Sequence, residues 1–75
     1  QSIQIQILEN GEIWVDNRAV DVRAVRANVE RLSAVSPDSG VLILAQDRAP
    51  TGTLVEVVDQ VRLGGIENIT FSTTQ

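Results

Sequence analysis

The sequence predicts a two-layer α+β domain of order ββ-α-β-α-β, in which a mixed sheet carries two helices on one face. Three observations indicate this fold class: a hairpin-like alternating start, two segments with helical spacing, and a continuous apolar run between them. The last two long strands are joined by a helix and should be parallel, whereas the opening hairpin is antiparallel. A chain of 75 residues allows one domain, residues 1–75.

The opening segment is predicted to form a strand, a turn and a return strand. Isoleucine occupies every second position within residues 2–8, which is the period of a half-buried strand. Asn10-Gly11 then predicts a type I′ turn, since both central residues of that turn need positive φ. The return strand, residues 12–16, places Trp14 on the face opposite its apolar neighbours. Another turn and a short extended segment, residues 18–20, follow.

The first helix is predicted from a cap, an apolar stripe and a stop signal. Asp21 is a favourable N-cap residue. Apolar side chains recur at positions 22, 25, 29 and 32, a narrow stripe that faces a core. Pro37 ends the pattern, because the residue before a proline is disfavoured in helical conformation.

A continuous apolar strand and a second helix come next. Residues 41–45 read VLILA, which is typical of a strand covered on both faces. Thr53 and Glu56 form a capping-box pattern, which predicts that the helix starts at about Leu54. The Gly64-Gly65 pair predicts its end.

The closing segment returns to strand alternation and is predicted to direct Ile69 and Phe71 toward the core. It has no charged residue and no proline between Asn68 and Thr74, so nothing would protect it if it lies at a sheet edge. We therefore predict partner binding or dimerisation by strand addition. Proline lacks the amide donor, so Thr70→Pro is expected to abolish this pairing.

The sheet face that the helices leave uncovered is a second predicted docking surface. It would carry Trp14, half of the central apolar strand and short polar side chains. The predicted partner or dimer contacts are Trp14, Ile69, Thr70, Phe71, Ser72, Thr73 and Thr74.

The composition argues against catalysis, cofactors and nucleic acid. The chain has no His and no Cys, which removes the usual base of a nucleophilic triad and most zinc ligands. It also has no Lys, so no P-loop is possible, and its net charge of −4 disfavours nucleic acid. One alternative is a small soluble enzyme that uses Asp47 or Asp59. We interpret these carboxylates as solvated side chains.

The order of elements and several motifs resemble the periplasmic domain of the ExbD/TolR proteins over nearly the whole chain. The resemblance runs from the Asn-Gly hairpin and EIWVDN through VLILA and APTG to VEVVDQVRLGGI. Its most specific residues are Pro50, Gly52, Val57, Val58, Asp59, Arg62, Gly65 and Ile66. Prolines and glycines at such positions shape turns and helix ends, so this set specifies a fold and no reaction.

The resemblance implies an accessory subunit of an inner-membrane motor that uses the proton-motive force to act on the outer membrane. A transmembrane helix, absent from these residues, would anchor the domain on the periplasmic side and carry the acidic residue that passes protons. The implied partners are a second copy, an ExbB/TolQ-type channel subunit reached through that helix, and a TonB-type energy transducer. In TolR-like members the partner is peptidoglycan, and this alternative stays open.

The loop into the second helix departs from the family pattern at two positions. Gln46 stands where the family commonly has an acidic residue, and Thr51 stands where it commonly has an aromatic one. Asp47, Pro50 and Gly52 of this loop are therefore candidate site residues to which the resemblance assigns no partner.

Overall fold

A five-stranded mixed sheet carries both helices on one face, which confirms the predicted α+β fold class. The structure is a computed structural model that describes residues 2–74, and the side chain of the predicted contact residue Thr74 lies outside the described part. In chain order the elements are β1 (Ser2–Ile7), β2 (Ile13–Val15), β3 (Arg18–Val20), a 3-10 turn (Val22–Ala24), α1 (Val25–Val35), β4 (Gly40–Gln46), α2 (Thr51–Leu63) and β5 (Ile69–Thr74).

The sheet has the strand order β3-β2-β1-β4-β5. Short turns join β1 to β2 and β2 to β3, so these pairs are antiparallel. The pairs β1/β4 and β4/β5 are parallel, and the connections between them contain α1 and α2. The N-terminal strand therefore lies in the middle of the sheet, and β3 and β5 are its edges.

The core fills the space between the helices and one face of the sheet. Alternate residues of β1, β2 and β4 face the helices, and each helix contributes a narrow apolar stripe. The buried side chains are Ile3, Ile5, Ile7, Ile13, Val15, Val25, Val29, Val41, Ile43, Val57, Val61 and Ile66. All of them are β-branched, so they are already stiff at χ1 and lose little rotamer entropy on burial.

The type I′ turn of the N-terminal region lies between β2 and β3, and not between β1 and β2 as the sequence predicted. Only Gly11 of the Asn10-Gly11 pair has a positive φ, of 88°, and it closes a longer loop in which Leu8 N donates to Glu12 O at 2.9 Å. The type I′ prediction at this site was wrong. Asp16 and Asn17 both have positive φ and join β2 to β3 in two residues, which is the type I′ geometry.

The segment between the hairpin and α1 is more regular than predicted. Residues 18–20 form a full strand, β3, paired antiparallel with β2. Asp21 caps the following turn as predicted, since its carboxylate accepts a hydrogen bond from Arg23 N at 3.0 Å. That turn is a 3-10 turn, and α1 begins only at Val25.

The second helix begins earlier than the predicted capping box. Pro50 is its N-cap, with φ −61° and ψ 129°, and its carbonyl accepts a hydrogen bond from Leu54 N at 3.1 Å. Proline restricts the residue before it and leaves the following residues free to become helical. Thr53 therefore lies inside the first turn, and the prediction of a start near Leu54 was wrong.

The end of α2 agrees with the prediction. Gly65 has a φ of +96°, a conformation that glycine adopts without strain. Gly65 N donates to Arg62 O at 3.0 Å, and Ile66 N donates to Val61 O at 3.4 Å. These two bonds and the burial of Ile66 against the core form a Schellman motif, which directs the chain into β5.

Candidate functional site

The two edges of the sheet differ in how they are protected from a further strand. The edge strand β3 has three residues and carries the exposed charge of Arg18. The edge strand β5 has six residues and no charge, and within the described residues it pairs only with β4. Short length and charge discourage strand addition, whereas a long neutral edge permits it. The free edge of β5 is therefore the better candidate for binding an extended segment.

The hydrogen-bond phase of β5 decides which of its backbone groups are free. Val41 N donates to Asn68 O at 2.9 Å, and Val41 is in register with Ile69. In a parallel ladder with this phase, the amide of Thr70 donates back to Val41 O. The amides and carbonyls of Ile69, Phe71 and Thr73 then point to the free edge. Thr70→Pro would break the internal pairing with β4, so it was the wrong substitution for testing strand addition.

Phe71 was predicted to face the core; the structure confirms the side of the sheet but shows that the residue is not buried. The register places it beside Ile43, on the side of the sheet that the helices cover. Its side chain is nevertheless 55% exposed, whereas Ile69 packs against the core and is partly buried. The reason is position: among residues 2–74, no strand lies beyond β5 to shield the outer side of the ring.

One flank of α2 also carries an exposed apolar side chain. A β-carbon on Gly64 would lie 3.0 Å from Cγ1 of Val29, so Gly64 marks the flank that packs on α1. Val55 lies nine residues earlier, which is half a turn around the helix axis, and therefore faces the other way. It is 53% exposed. Because α2 connects β4 to β5, the flank that points away from α1 overhangs β5.

The exposed apolar residues belong to the helix side of the sheet. Within residues 2–73, the large apolar side chains that are mostly exposed are Val35, Val55, Leu63 and Phe71. The first three lie on helices, and Phe71 lies on the helix side of β5. The predicted open-face surface carries none of them.

The uncovered sheet face has the residues that the sequence predicted for it. A row of paired residues crosses it from Trp14 through Gln6 and Leu44 to Ser72. Trp14 and the leucine are only partly exposed. The indole Nε1 of Trp14 is buried and has no hydrogen-bond partner among the described residues. Because this donor is buried, a ligand on the open face reaches it only if the indole moves.

The predicted contact residues do not form one surface. Trp14 lies three strands from β5, about 14 Å at the usual strand spacing. It also lies on the opposite face from Phe71. The side chains of Thr70 and Ser72 lie on the same face as Trp14. The free backbone groups at the edge are those of Ile69, Phe71 and Thr73. The sequence contains no signal for this division, because it depends on strand order.

The loop into α2 lies at the carboxyl ends of β1 and β4. The Gln46 side-chain oxygen accepts a hydrogen bond from Glu9 N at 2.7 Å, which ties this loop to the β1–β2 loop. A cleft of about 210 Å³ opens beside this bond on the uncovered face, lined by Gln6, Leu8, Leu44 and Gln46. Asp47 is exposed next to it. Since Gln46 is in register with Thr74, the loop also borders the end of β5.

Gly52 was expected to shape the turn into α2, but its conformation does not require glycine. It lies inside the helix, has no positive φ, and a β-carbon on it would meet nothing within 4 Å. Gly52→Ala should therefore stabilise the domain by about 0.4–1 kcal/mol, since alanine restricts the unfolded chain. Gly64→Ala is the matched control and should destabilise it by about 1–3 kcal/mol, because its β-carbon meets Val29.

Urea unfolding of both variants measures these changes in the free energy of unfolding. If Gly52→Ala destabilised the domain, the described geometry of the loop would be wrong. If it stabilised the domain but weakened partner binding, the loop would be a contact site.

Neither a membrane-spanning helix nor a metal cluster is found in the described part of the chain. Within residues 2–74 no helix has the length and apolar character needed to cross a membrane. The same residues include no group of three or more His, Cys, Asp or Glu side chains placed to hold a metal ion. What these residues offer is a neutral backbone edge, an apolar flank and a polar open face.

Comparison with known proteins identifies the kind of protein that has this sequence. A family model described as "Biopolymer transport protein ExbD/TolR" matches residues 1–75. The chain is 34% identical over 70 residues to the biopolymer transport protein exbD2 of Vibrio cholerae serotype O1. This match covers 93% of the chain and 52% of that protein, so the chain spans about half the length of its curated relative.

Proposed function

Because the chain belongs to the ExbD/TolR family of biopolymer transport proteins, we propose that it is the periplasmic interaction domain of a proton-driven inner-membrane motor. Its role is to couple that motor to a TonB-type energy transducer for transport across the outer membrane. The membrane helix and the contact with an ExbB/TolQ-type channel subunit are assigned to a part of the protein outside these residues. No catalytic step is assigned to the domain.

The free edge of β5 is the observation that carries this proposal. It presents the outward amides and carbonyls of Ile69, Phe71 and Thr73 in a row. An extended segment of a transducer can pair with this row and add a sixth strand to the five-stranded sheet. The main-chain hydrogen bonds would supply affinity without a preformed pocket.

We assign dimerisation to the same edge, since two β5 strands related by a two-fold axis satisfy each other's free groups. One edge accepts one strand, so a second copy and a transducer segment would compete for it. Sedimentation equilibrium tests the pairing. A monomer over the whole concentration range would contradict it.

The second candidate function is a TolR-like anchor to peptidoglycan, favoured by the uncovered face. Trp14 lies there next to the amide of Gln6, and its Nε1 donor lacks a partner. Sugar rings present hydroxyl acceptors and apolar faces, which suit an indole flanked by amides. This candidate uses the face opposite the helices, so the two functions make different predictions.

An amide chemical-shift titration separates the two functions. The isotope-labelled domain is mixed with a peptide from the periplasmic linker of its cognate TonB-type protein, and separately with soluble peptidoglycan fragments. We expect the peptide to shift the amides of Ile69, Phe71 and Thr73. The single Trp provides one indole resonance, which reports on the open face.

Peptide-induced shifts along β5 with an unchanged indole resonance would support the transducer function. Shifts of the Trp14 indole with peptidoglycan fragments, and none with peptide at millimolar concentration, would contradict it. That second result would assign the domain to the cell wall.

A further inference from the structure

Backbone hydrogen bonds at the edge of β5 can form with a partner strand of any sequence. The side chains beside β5 can favour some partner sequences over others. Phe71 is 55% exposed although it points to the helix side of the sheet. Val55 is 53% exposed on the flank of α2 that overhangs the same strand. Ile69 and Val58 complete this surface from its inner side, where both pack against the core. These four residues, Val55, Val58, Ile69 and Phe71, are called the apolar strip.

An added strand would lie about 4.8 Å beyond β5, with alternate side chains on the helix side. Those side chains would stand directly beside Phe71, at the distance at which cross-strand pairs interact. They would also lie under the flank that carries Val55. Apolar side chains there would remove the exposed surface of both residues from water, whereas polar ones would lose hydration without gaining partners.

The charges around the strip restrict the occupant further. The chain carries 16 charged residues, yet none lies between Asn68 and Thr74. A charged side chain paired with this segment would find no opposite charge on β5. Asp59 and Arg62, which helical spacing places on the same flank of α2 as Val55, have opposite signs and add no net charge. A neutral segment matches the edge on both faces: apolar side chains toward the helices, and small polar ones beside Thr70 and Ser72.

Given the proposed strand addition, on which this inference rests, we propose that the apolar strip selects the segment that β5 binds. The occupant is an extended stretch of another protein, uncharged over the paired length, with large apolar side chains at every second position. The backbone edge of β5 binds the segment, and contacts with Phe71 and Val55 determine which sequences bind tightly.

Two synthetic peptides test the inference in a double-mutant cycle. One is Lys-Thr-Val-Thr-Val-Thr-Val-Thr-Lys, and in the other serine replaces each valine. Calorimetry measures their affinity for the wild-type domain and for Phe71→Thr. We expect the valine peptide to bind wild type at least tenfold more tightly than the serine peptide, and this ratio to fall below about threefold on the variant.

The controls separate side-chain selection from strand addition. Val35→Thr removes an apolar side chain that is 78% exposed at the end of α1, away from β5, and should keep the full ratio. Urea unfolding confirms that each variant is folded. Amide hydrogen exchange at Phe71 and Thr73 reports whether a strand has been added, since their amides point to the free edge.

Three results would overturn the inference, and they differ in whether strand addition at β5 is retained. Equal binding of both peptides with protected edge amides would remove the selection and keep strand addition. Failure of both peptides to bind a domain that is monomeric would remove both. If neither peptide bound and Phe71→Thr converted a dimer into a monomer, the apolar strip would be a contact between two copies of the chain.

Discussion

Replacing Thr73 with proline is expected to weaken strand addition at β5 strongly while the domain stays folded. The amide of Thr73 points away from β4, so its loss breaks no bond within the sheet. Proline is tolerated at an edge strand on the side that faces solvent. The partner would lose one ladder bond and keep an unsatisfied carbonyl. We expect binding of the transducer peptide to weaken about 30- to 100-fold.

Two further substitutions make this result specific. Thr73→Ala removes the side chain but keeps the amide, and should bind almost as well as wild type. Thr70→Pro removes an amide that donates to Val41 and should cost about 1–3 kcal/mol of unfolding free energy, because the carbonyl of Val41 loses its partner. Peptide affinity is measured by calorimetry, and folding by urea titration.

The pattern across the three variants identifies the free row of backbone groups. If Thr73→Pro bound peptide normally and remained folded, β5 would not be the docking edge. If it also formed dimers like wild type, measured by sedimentation, the proposed pairing of two copies would be wrong too.

Replacing Ile43 with alanine is expected to have the largest effect on stability. Ile43 is completely buried in β4, between β1 and β5 and beneath the helices. Truncation of a buried isoleucine to alanine costs about 2–5 kcal/mol, because a cavity remains in a closely packed core. A domain of this length has a total stability of about 4–11 kcal/mol. Much of the variant should therefore be unfolded at moderate urea concentrations or on mild heating.

The neighbouring Leu44 provides the matched control. It lies on the same strand with its side chain on the uncovered face, where it is only partly buried. Leu44→Ala should cost clearly less, and Ile43→Val only about 0.5–1.5 kcal/mol. The midpoint of urea unfolding measures all three. Equal losses for Ile43→Ala and Leu44→Ala would contradict the assignment of the helix layer to the face of Ile43.

Periodicity predicted the core well. The isoleucines of β1 and the helical stripe containing Val25 and Val29 are buried as expected, because alternation and 3.6-residue spacing directly encode which face is covered. Local sequence signals also predicted two individual helix-capping residues correctly. Asp21 and Gly65 hold the conformations expected of them, since each depends on a few adjacent backbone groups.

Features set by strand order could not be predicted in this way. The exposure of Phe71 follows from the absence of a neighbour beyond β5, and alternation alone does not show where a sheet ends. Whether the amide of Thr70 or that of Thr73 points to the free edge depends on how β5 is hydrogen-bonded to β4, and the local sequence does not determine this. The role of β5 as a contact strand therefore stays a prediction, and the ladder phase replaces Thr70 with Thr73 as the position for its proline test.

The placement of β1 in the middle of the sheet also has a mechanical consequence. A pull on the chain through Ser2 acts along β1, which is held by β2 on one side and β4 on the other. Such a load is directed parallel to both ladders, so it shears many hydrogen bonds at once and does not unzip them singly. A strand added at β5 would be held by one ladder only. If a load ran from Ser2 to a strand added at β5, the single ladder of the added strand would give way before the two ladders of β1.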